Sequence, residues 1–454
     1  MKGLTEQLAV SIATANVCLM LNDAISGVVH MAFIDTVGVM LAGRDEPVTR
    51  AARKFVEAKQ SSLQEAGVLF EPKRSSTRDA AFINGIAAHA LDYDDVGLMG
   101  HPSAVLVPAL LAEGEHRHAS GLDLMRAYVV GFEVWAELIS RDKDSHHIKG
   151  WHPTGVFGIV AAAAAVAALR GLDAPRIQHA LGIAASMAGG LIANFGSMSK
   201  PFHAGQAAAG GIDAVDLALC GLTAATDAIE HDAGYLAALS PQGRVDRAPM
   251  TTDLWQNLRI VSSGLTIKKY AMCFATHRVI DAMLDLTHAH DVLPDQVRAV
   301  RATVGVTQAS MLRNHAPTTG LEAKFSLEFA IAASLIARKI GLTELTDGFV
   351  SRPDVQALFS RVQIQTTDTV CPTEPTLAAS DRVEIELLDG TIFDSGEIHQ
   401  TRGAMGFALS IQDLKAKFMD CVAVNDAIKT AALYDQLVAF PELRDVSSLI
   451  ALCI

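Results

Sequence analysis

The segment His89 to Ala112, HALDYDDVGLMGHPSAVLVPALLA, crowds Asp92, Asp94, Asp95 and His101 into ten residues and then runs into an apolar stretch. His152, in GWHPTGVFG, repeats the arrangement: a histidine, a proline, then an apolar run. A third segment, SMSKPFHAGQAAAGG, carries Lys200 and His203 into a small-residue stretch, and a fourth, TIKKYAMCFATHR, carries Lys268, Lys269, Tyr270 and His277. Histidines move protons near neutral pH, and lysines hold carboxylates as point charges. Acids beside them can orient or tune the imidazoles. The set suits removal of a proton alpha to a carboxylate, because that step needs a base and positive charge near the developing enediolate. Taken singly, each segment has an ordinary alternative: acids that solvate a turn, histidines that pack in a core, paired lysines that face solvent.

Those residues need elements to hold them. Ser103 is placed to cap the helix that begins after His101, which would set His101 at the positive end of a helix dipole and make an anion site there. TGVFGIVAAAAAVAALRGL starts just after Pro153 and stops at Gly171, the proline-first, glycine-last pattern of a helix. LDLMRAYVVGFEVWAELISR also has helical periodicity. After about residue 265 the texture changes: AVRATVGVTQA and RVQIQTT alternate with period two, and RVEIELLDGTIFDSGEI predicts a hairpin with a type I′ turn at Asp389-Gly390. Between them LEAKFSLEFAIAASLIARKIGL predicts a helix ending at Gly341, and the tail after about 400 is helical again. The expected architecture is mainly α: a large all-helical domain from residues 1–265 plus 397–454, with an inserted smaller α+β domain at 266–396. Residues 239–253, LSPQGRVDRAPMTTD, are the expected exposed boundary segment.

At 454 residues the chain exceeds the roughly 250–300 at which one core stops growing, which predicts two domains. With 50% apolar and 19% charged residues it must build a large interior. A net charge of −13 repels polyanions and argues against a nucleic-acid partner, so an anionic substrate needs a local basic cluster. The six cysteines form no metal-binding spacing and read as isolated thiols. No signal-peptide layout and no stretch of about 20 strongly apolar residues is evident, so the expectation is a cytoplasmic protein without a membrane partner. Ser197-Met198-Ser199-Lys200 matches the S-x-x-K acyl-enzyme pattern, but its companion motifs are absent. A Schiff base at Lys200 and a non-enzymatic binding role are the remaining alternatives.

The four segments, in this order, resemble the successive signatures of the MmgE/PrpD family, whose members include 2-methylcitrate dehydratase, cis-aconitate decarboxylase and iminodisuccinate epimerase. The resemblance covers about residues 10 to 430. It implies a helical domain built from both ends of the chain, an α+β lid, a site between them, chemistry without a cofactor or metal, and a homodimer. The family's pocket positions fall on Asp92, His101, His152, Lys200 and Lys268, with Ser103, His203 and Tyr270 as further substrate contacts. His101 and His152 would be acid and base, Lys200 and Lys268 carboxylate clamps, and Asp92 would orient a histidine or hold a lysine. Phe329 stands where the decarboxylase pattern has a tyrosine, Val96 where it has a threonine, and the loop from Asp92 to His101 is one residue shorter. The resemblance therefore implies a lyase that dehydrates a small hydroxy di- or tricarboxylate such as 2-methylcitrate. Epimerisation of an iminodisuccinate-like dicarboxylate comes next, and decarboxylation last.

Overall fold

A computed structural model describes residues 2–18, 21–372, 374–423 and 430–453. The protein is mainly helical, and it divides into two compact units, one of residues 1–267 and 414–454 and one of 268–413.

The first unit contains α1 (Leu4–Cys18), α2 (Asp23–Ala42), α3 (Pro47–Ala58), α4 (Thr77–Ala90), α5 (Pro102–Arg117), α6 (Gly121–Ser140), the single turn α7 (His146–Lys149), α8 (Pro153–Leu169), α9 (Ala174–Met187) and α10 (Ser199–Leu219), with a two-stranded ribbon of β1 (Ala66–Gly67) and β2 (Arg74–Ser75). The predicted starts at Pro153 and in the Leu122 region hold. Helix α8 is buried along almost its whole length, as its alanines allow: a helix apolar on every face has no side to give to water. Helices α4 and α10 cross where Gly85 meets Gly205; a Cβ on Gly85 would lie 2.9 Å from the Gly205 Cα, so neither position has room for a side chain. That close crossing brings the C-terminal end of α4, with His89, toward the N-terminal end of α10, with Lys200.

By length and composition α2 could cross a membrane, which the sequence reading did not anticipate. In this unit it is a core helix. Val29, Phe33, Val37 and Met40 are buried, and Asp35 sits among them with its carboxylate against the Lys417 ammonium at 2.6 Å. Lys417 lies on the helix Ile411–Ala423, so the returning C-terminal segment supplies the cation that this core requires.

The second unit has a four-stranded sheet of β3 (Val297–Gly305), β4 (Val362–Thr367), β5 (Arg382–Leu387) and β6 (Ile392–Asp394) in the order β4-β3-β5-β6, parallel between β3 and β4 and antiparallel elsewhere. Helices His277–His290 and Leu327–Ala337 cover an apolar core that includes Met283, Phe329, Ile331, Val300 and Val383. The predicted hairpin is present, but its turn is not type I′. Only Gly390 has positive φ (+89°), and Leu387 N–H donates to Thr391 O, so the loop spans three residues, Leu388 to Gly390, rather than two. The predicted helix from Leu321 is interrupted at Ser326, whose side chain caps Leu327–Ala337 by accepting from Phe329 N–H, and it ends at Arg338 in the left-handed conformation rather than at Gly341. Residues 397–413 join the second unit because Ile398 pairs with Asp381 and Arg402 binds Asp281 and Asp285. Residues 239–253 lie inside the first unit, where Arg141 holds the carbonyls of Asp246 and Ala248.

Candidate active site

In the first unit His101 is the N-cap residue of α5 and His152 that of α8, each followed by proline in the first helical position. Ser103, expected as the cap, instead lies inside the first turn of α5. The two helix starts are tied directly: His101 N–H donates to Thr154 Oγ1 at 3.1 Å. Lys200 occupies the first turn of α10. Three helix N-termini, each with a partial positive charge, thus contribute a side chain to one cluster, which gives an acidic chain a local field that favours an anion.

The loop from Asp92 to Met99 is held in an uncommon backbone shape. Asp92, Leu98 and Met99 all have φ between +51° and +58°, a conformation that costs a non-glycine residue energy and persists only where surroundings enforce it. Here Val96 pairs with Thr266, and Gly97 pairs with Gly100, through reciprocal backbone hydrogen bonds of 2.8 to 3.0 Å.

The side chains of this loop divide the work. Asp92 holds Lys200, Oδ1 to Nζ at 2.9 Å, and lies 3.8 Å from His101 Nε2. Asp94, fully buried, lies between two imidazoles: 3.0 Å from His89 Nδ1 and 2.9 Å from His101 Nδ1. His101 Nδ1 is also 2.9 Å from the Asp95 carbonyl oxygen. Both neighbours of His101 Nδ1 are acceptors, so that nitrogen carries the proton and the neutral ring has its lone pair on Nε2. The same reasoning puts the His89 proton on Nδ1. His152 Nδ1 and His203 Nδ1 are 3.0 Å apart, so one donates to the other. His152 is fixed further by its N–H to Gly190 O at 3.0 Å and by the Phe195 ring, edge-on at 4.8 Å between centroids. Gly190, at φ +134°, packs against the His203 ring where a Cβ would lie 3.2 Å from it.

Burial and the neighbouring Lys200 set the protonation. His89 and His203 are each pushed down to about 4 by burial first, which at His89 outweighs the opposing pull of Asp94, and His152 is held well below the usual histidine range by burial first and then by its histidine and Lys200 neighbours. These rings are neutral at pH 7. Burial works against the charge of Asp94, but the imidazoles of His89 and His101 outweigh it and hold the carboxyl well below its ordinary value. Asp95 behaves oppositely: burial first, then Asp35 and Asp94, push it up to about 8 despite its hydrogen bonds with Ser103. Ser103 Oγ, in turn, lies 2.7 Å from Tyr128 Oη.

Asp95 gives a test of this electrostatic picture. Its folded pKa lies above its unfolded one, so the native state binds the extra proton; the contribution is full below about pH 4 and is lost as pH rises through about 8. Asp95→Asn keeps the shape without the titration. The stability of the variant relative to the parent is therefore expected to rise between pH 5 and pH 8 in denaturant unfolding, and a pH-independent difference would show that Asp95 carries no buried proton.

Donor atoms of His89, His101 and His152 lie within 4.8 Å of one another, as do those of His89, Asp92, Asp94 and His101. Such spacing would also suit a cation; in the second set Asp92 is committed to Lys200 and Asp94 to two Nδ1–H groups, and those bonds account for its closeness. Ser197 is exposed and its hydroxyl donates to Asn194 O at 2.8 Å, an arrangement that gives the S-x-x-K reading no activated nucleophile.

Of the residues singled out in the sequence, Asp92, His101, His152, Lys200 and His203 come together. Ser103 lies behind them with its hydroxyl engaged by Asp95 and Tyr128. Lys268 and Tyr270 belong to the second unit; Lys268 is buried, and Tyr270 donates its hydroxyl to Asp281 Oδ1 at 2.6 Å. Phe329 is buried in the apolar core of that unit. Sequence reasoning did not single out His89, or assign separate tasks to Asp94 and Asp95. The available signal for His89 was its place in the last turn of the helix just before the acid-rich loop, five residues from Asp94.

A helical unit that gathers neutral imidazoles and a carboxylate-held lysine at converging helix starts belongs to a recognisable class of protein. The chain matches the MmgE/PrpD N-terminal domain over residues 6–248 and the MmgE/PrpD C-terminal domain over residues 270–433; it belongs to the MmgE/PrpD family. It is 29% identical to the cis-aconitate decarboxylase of Mus musculus over 433 residues, covering 92% of this chain and 86% of the relative. It is 28% identical to the human enzyme of that name, covering 92% and 87%. A cis-aconitate decarboxylase-like protein of Aspergillus oryzae is 27% identical, covering 95% and 93%.

Proposed function

We propose that the protein is a lyase that needs no cofactor, acts on a small polycarboxylate by removing a proton alpha to a carboxylate, and most directly dehydrates a hydroxy di- or tricarboxylate such as 2-methylcitrate. The observation that carries this reading is His101, whose Nδ1 faces Asp94 and the Asp95 carbonyl so that Nε2 carries the ring's lone pair, 3.8 Å from Asp92 Oδ1 of the Lys200–Asp92 ion pair. In the proposed step Nε2 takes the alpha proton and the electron pair of the C–H bond moves into the carboxylate as an enediolate. The dipoles of α5, α8 and α10 stabilise that charge, and Lys200 holds a carboxylate of the substrate in both the bound and the reacting state. The C–O bond then breaks, and the hydroxyl leaves as water with the proton that His101 Nε2 took, while His152, which carries a proton on Nε2 when His203 donates at Nδ1, hydrogen-bonds the leaving oxygen. The resemblance assigns a second carboxylate clamp to Lys268.

The relatives favour a second reading, since each of the three named above is called a cis-aconitate decarboxylase or decarboxylase-like. Protonation of an alkene carbon with loss of carbon dioxide would need an acid where the first unit offers several neutral imidazoles, and Val96 and Phe329 supply no hydroxyl. Incubation with 2-methylcitrate, citrate, cis-aconitate and iminodisuccinate, followed by proton NMR and carbon dioxide release, separates the two. A new alkene without carbon dioxide supports dehydration, carbon dioxide supports decarboxylation, and inversion without either supports an epimerase.

Lys200→Ala tests the anion clamp. It is expected to raise KM about ten- to a hundredfold, the 1.5–3 kcal/mol typical of a hydrogen bond to a charged group, with a smaller change in kcat. An unchanged KM would remove Lys200 from substrate binding.

A further inference from the structure

We propose that Asp94 is the positioning residue of the cluster, one carboxylate that sets the tautomer of two imidazoles, His101 and His89, and supplies the counter-charge for the proton that His101 takes. This rests on the function proposed above for His101 and adds two residues to it.

The geometry is specific. Asp94 lies within hydrogen-bond distance of Nδ1 of both rings, at 2.9 Å and 3.0 Å, and the rings stand 4.4 Å apart between centroids. His89, Asp94 and His101 are all buried. A carboxylate accepts only, so both Nδ1 atoms donate and both Nε2 atoms are acceptors. His89 Nε2 is itself buried and has no hydrogen-bond partner among the described residues, which makes it a second lone pair in the space that His101 uses. Among the described residues Asp94 is the only hydrogen-bond partner of the His89 ring nitrogens, whereas His101 Nδ1 has the Asp95 carbonyl as well. His89 therefore depends on Asp94 for its tautomer, and His101 depends on it for charge.

The charged and titratable groups that face this unit are Asp92 and Asp95 on the same loop, His152 at the start of α8, Lys200 and His203 on α10, and Asp35 on α2. Lys200 is balanced by Asp92 and Asp35 by Lys417, so neither displaces Asp94 as the counter-charge of an imidazolium at His101. One carboxylate between two rings also supports one imidazolium only: once His101 is protonated, His89 remains neutral. The result is a single-proton device with a spare acceptor, as in nucleophilic triads where a buried acid orients the base without itself becoming protonated.

Asp94→Asn and the parent, as full chains, provide the test. An amide presents one accepting oxygen where the carboxylate has two, turns a donor toward one of the rings and carries no charge, so it holds the two Nδ1–H groups less firmly and gives an imidazolium no counter-charge. Expected results are a kcat reduced about 10²- to 10⁴-fold, with KM within about threefold, and an acid limb of the kcat/KM profile that moves down by about one pH unit or more because the imidazolium has lost its counter-charge. Imidazole ¹⁵N NMR of the substrate-free parent is expected to show Nδ1–H tautomers at both His89 and His101, with at least one of them changed in the variant. Nε2–H tautomers in the parent would overturn the proposal, as would an unmoved acid limb with kcat within threefold. If Asp94→Asn does not fold, the tautomers of the parent still decide the matter. If no polycarboxylate reacts with the parent, the proposed function fails while the tautomers continue to test the role of Asp94.

Discussion

Replacing His101 by asparagine is expected to lower kcat by about two to four orders of magnitude, the span that general acid–base groups contribute, while the folded chain retains its far-UV and unfolding signatures. Asparagine preserves a polar side chain of similar reach, so the hydrogen bond to the Asp95 carbonyl or to Asp94 can re-form, but it has no lone pair basic enough to accept a proton from carbon. KM should change far less than kcat, because the carboxylate clamp Lys200 and its partner Asp92 remain in place. Steady-state kinetics on the best substrate from the panel reads both constants. A variant with unchanged kcat would remove His101 from the chemistry.

Replacing Lys417 by alanine is expected to cost about 3–5 kcal/mol of stability, the penalty for leaving a buried charge without its partner. Three contacts meet at this ammonium: Asp35 Oδ1 at 2.6 Å, Tyr93 O at 2.8 Å and the Tyr93 ring, 4.0 Å to its centroid. Asp35 is buried in the middle of α2 and cannot turn to water. The double variant Asp35→Asn with Lys417→Met should recover most of the loss, since well-packed neutral groups often match a buried pair. Denaturant unfolding of the parent, the single and the double variant checks this; a single variant within about 1 kcal/mol of the parent would contradict it. Because Tyr93 lies between Asp92 and Asp94, the single variant should also lose activity, which the double variant need not restore.

Much of this was legible in the residues. His101 and His152 at apolar helix starts could be read from the two His-Pro pairs, because a proline in the first turn and an apolar run after it define a helix start without tertiary information. The mainly helical class and the change of texture after about residue 265 followed from periodicity. The division of labour among Asp92, Asp94 and Asp95 was not legible, because it depends on which way each carboxylate turns in a loop with three left-handed residues, and no local propensity encodes that. Ser103 was assigned to the wrong helical position for a similar reason: a serine two residues into a helix and a capping serine differ only by where the chain turns. The partnership of Asp35 with Lys417 joins residues 382 positions apart, a distance over which sequence pattern carries nothing. The break at Ser326 and the three-residue hairpin loop are local choices settled by one side-chain cap and one glycine.

Solvent deuterium tests the central claim most directly. Incubated in deuterium oxide with a hydroxy polycarboxylate that it accepts, the protein is expected to place deuterium at the carbon alpha to a carboxylate in recovered substrate, or to show a primary isotope effect when that position is deuterated beforehand. The exchange should fall with kcat in His101→Asn. Turnover of a polycarboxylate with neither exchange nor isotope effect at that carbon, or undiminished exchange in the variant, would contradict the account.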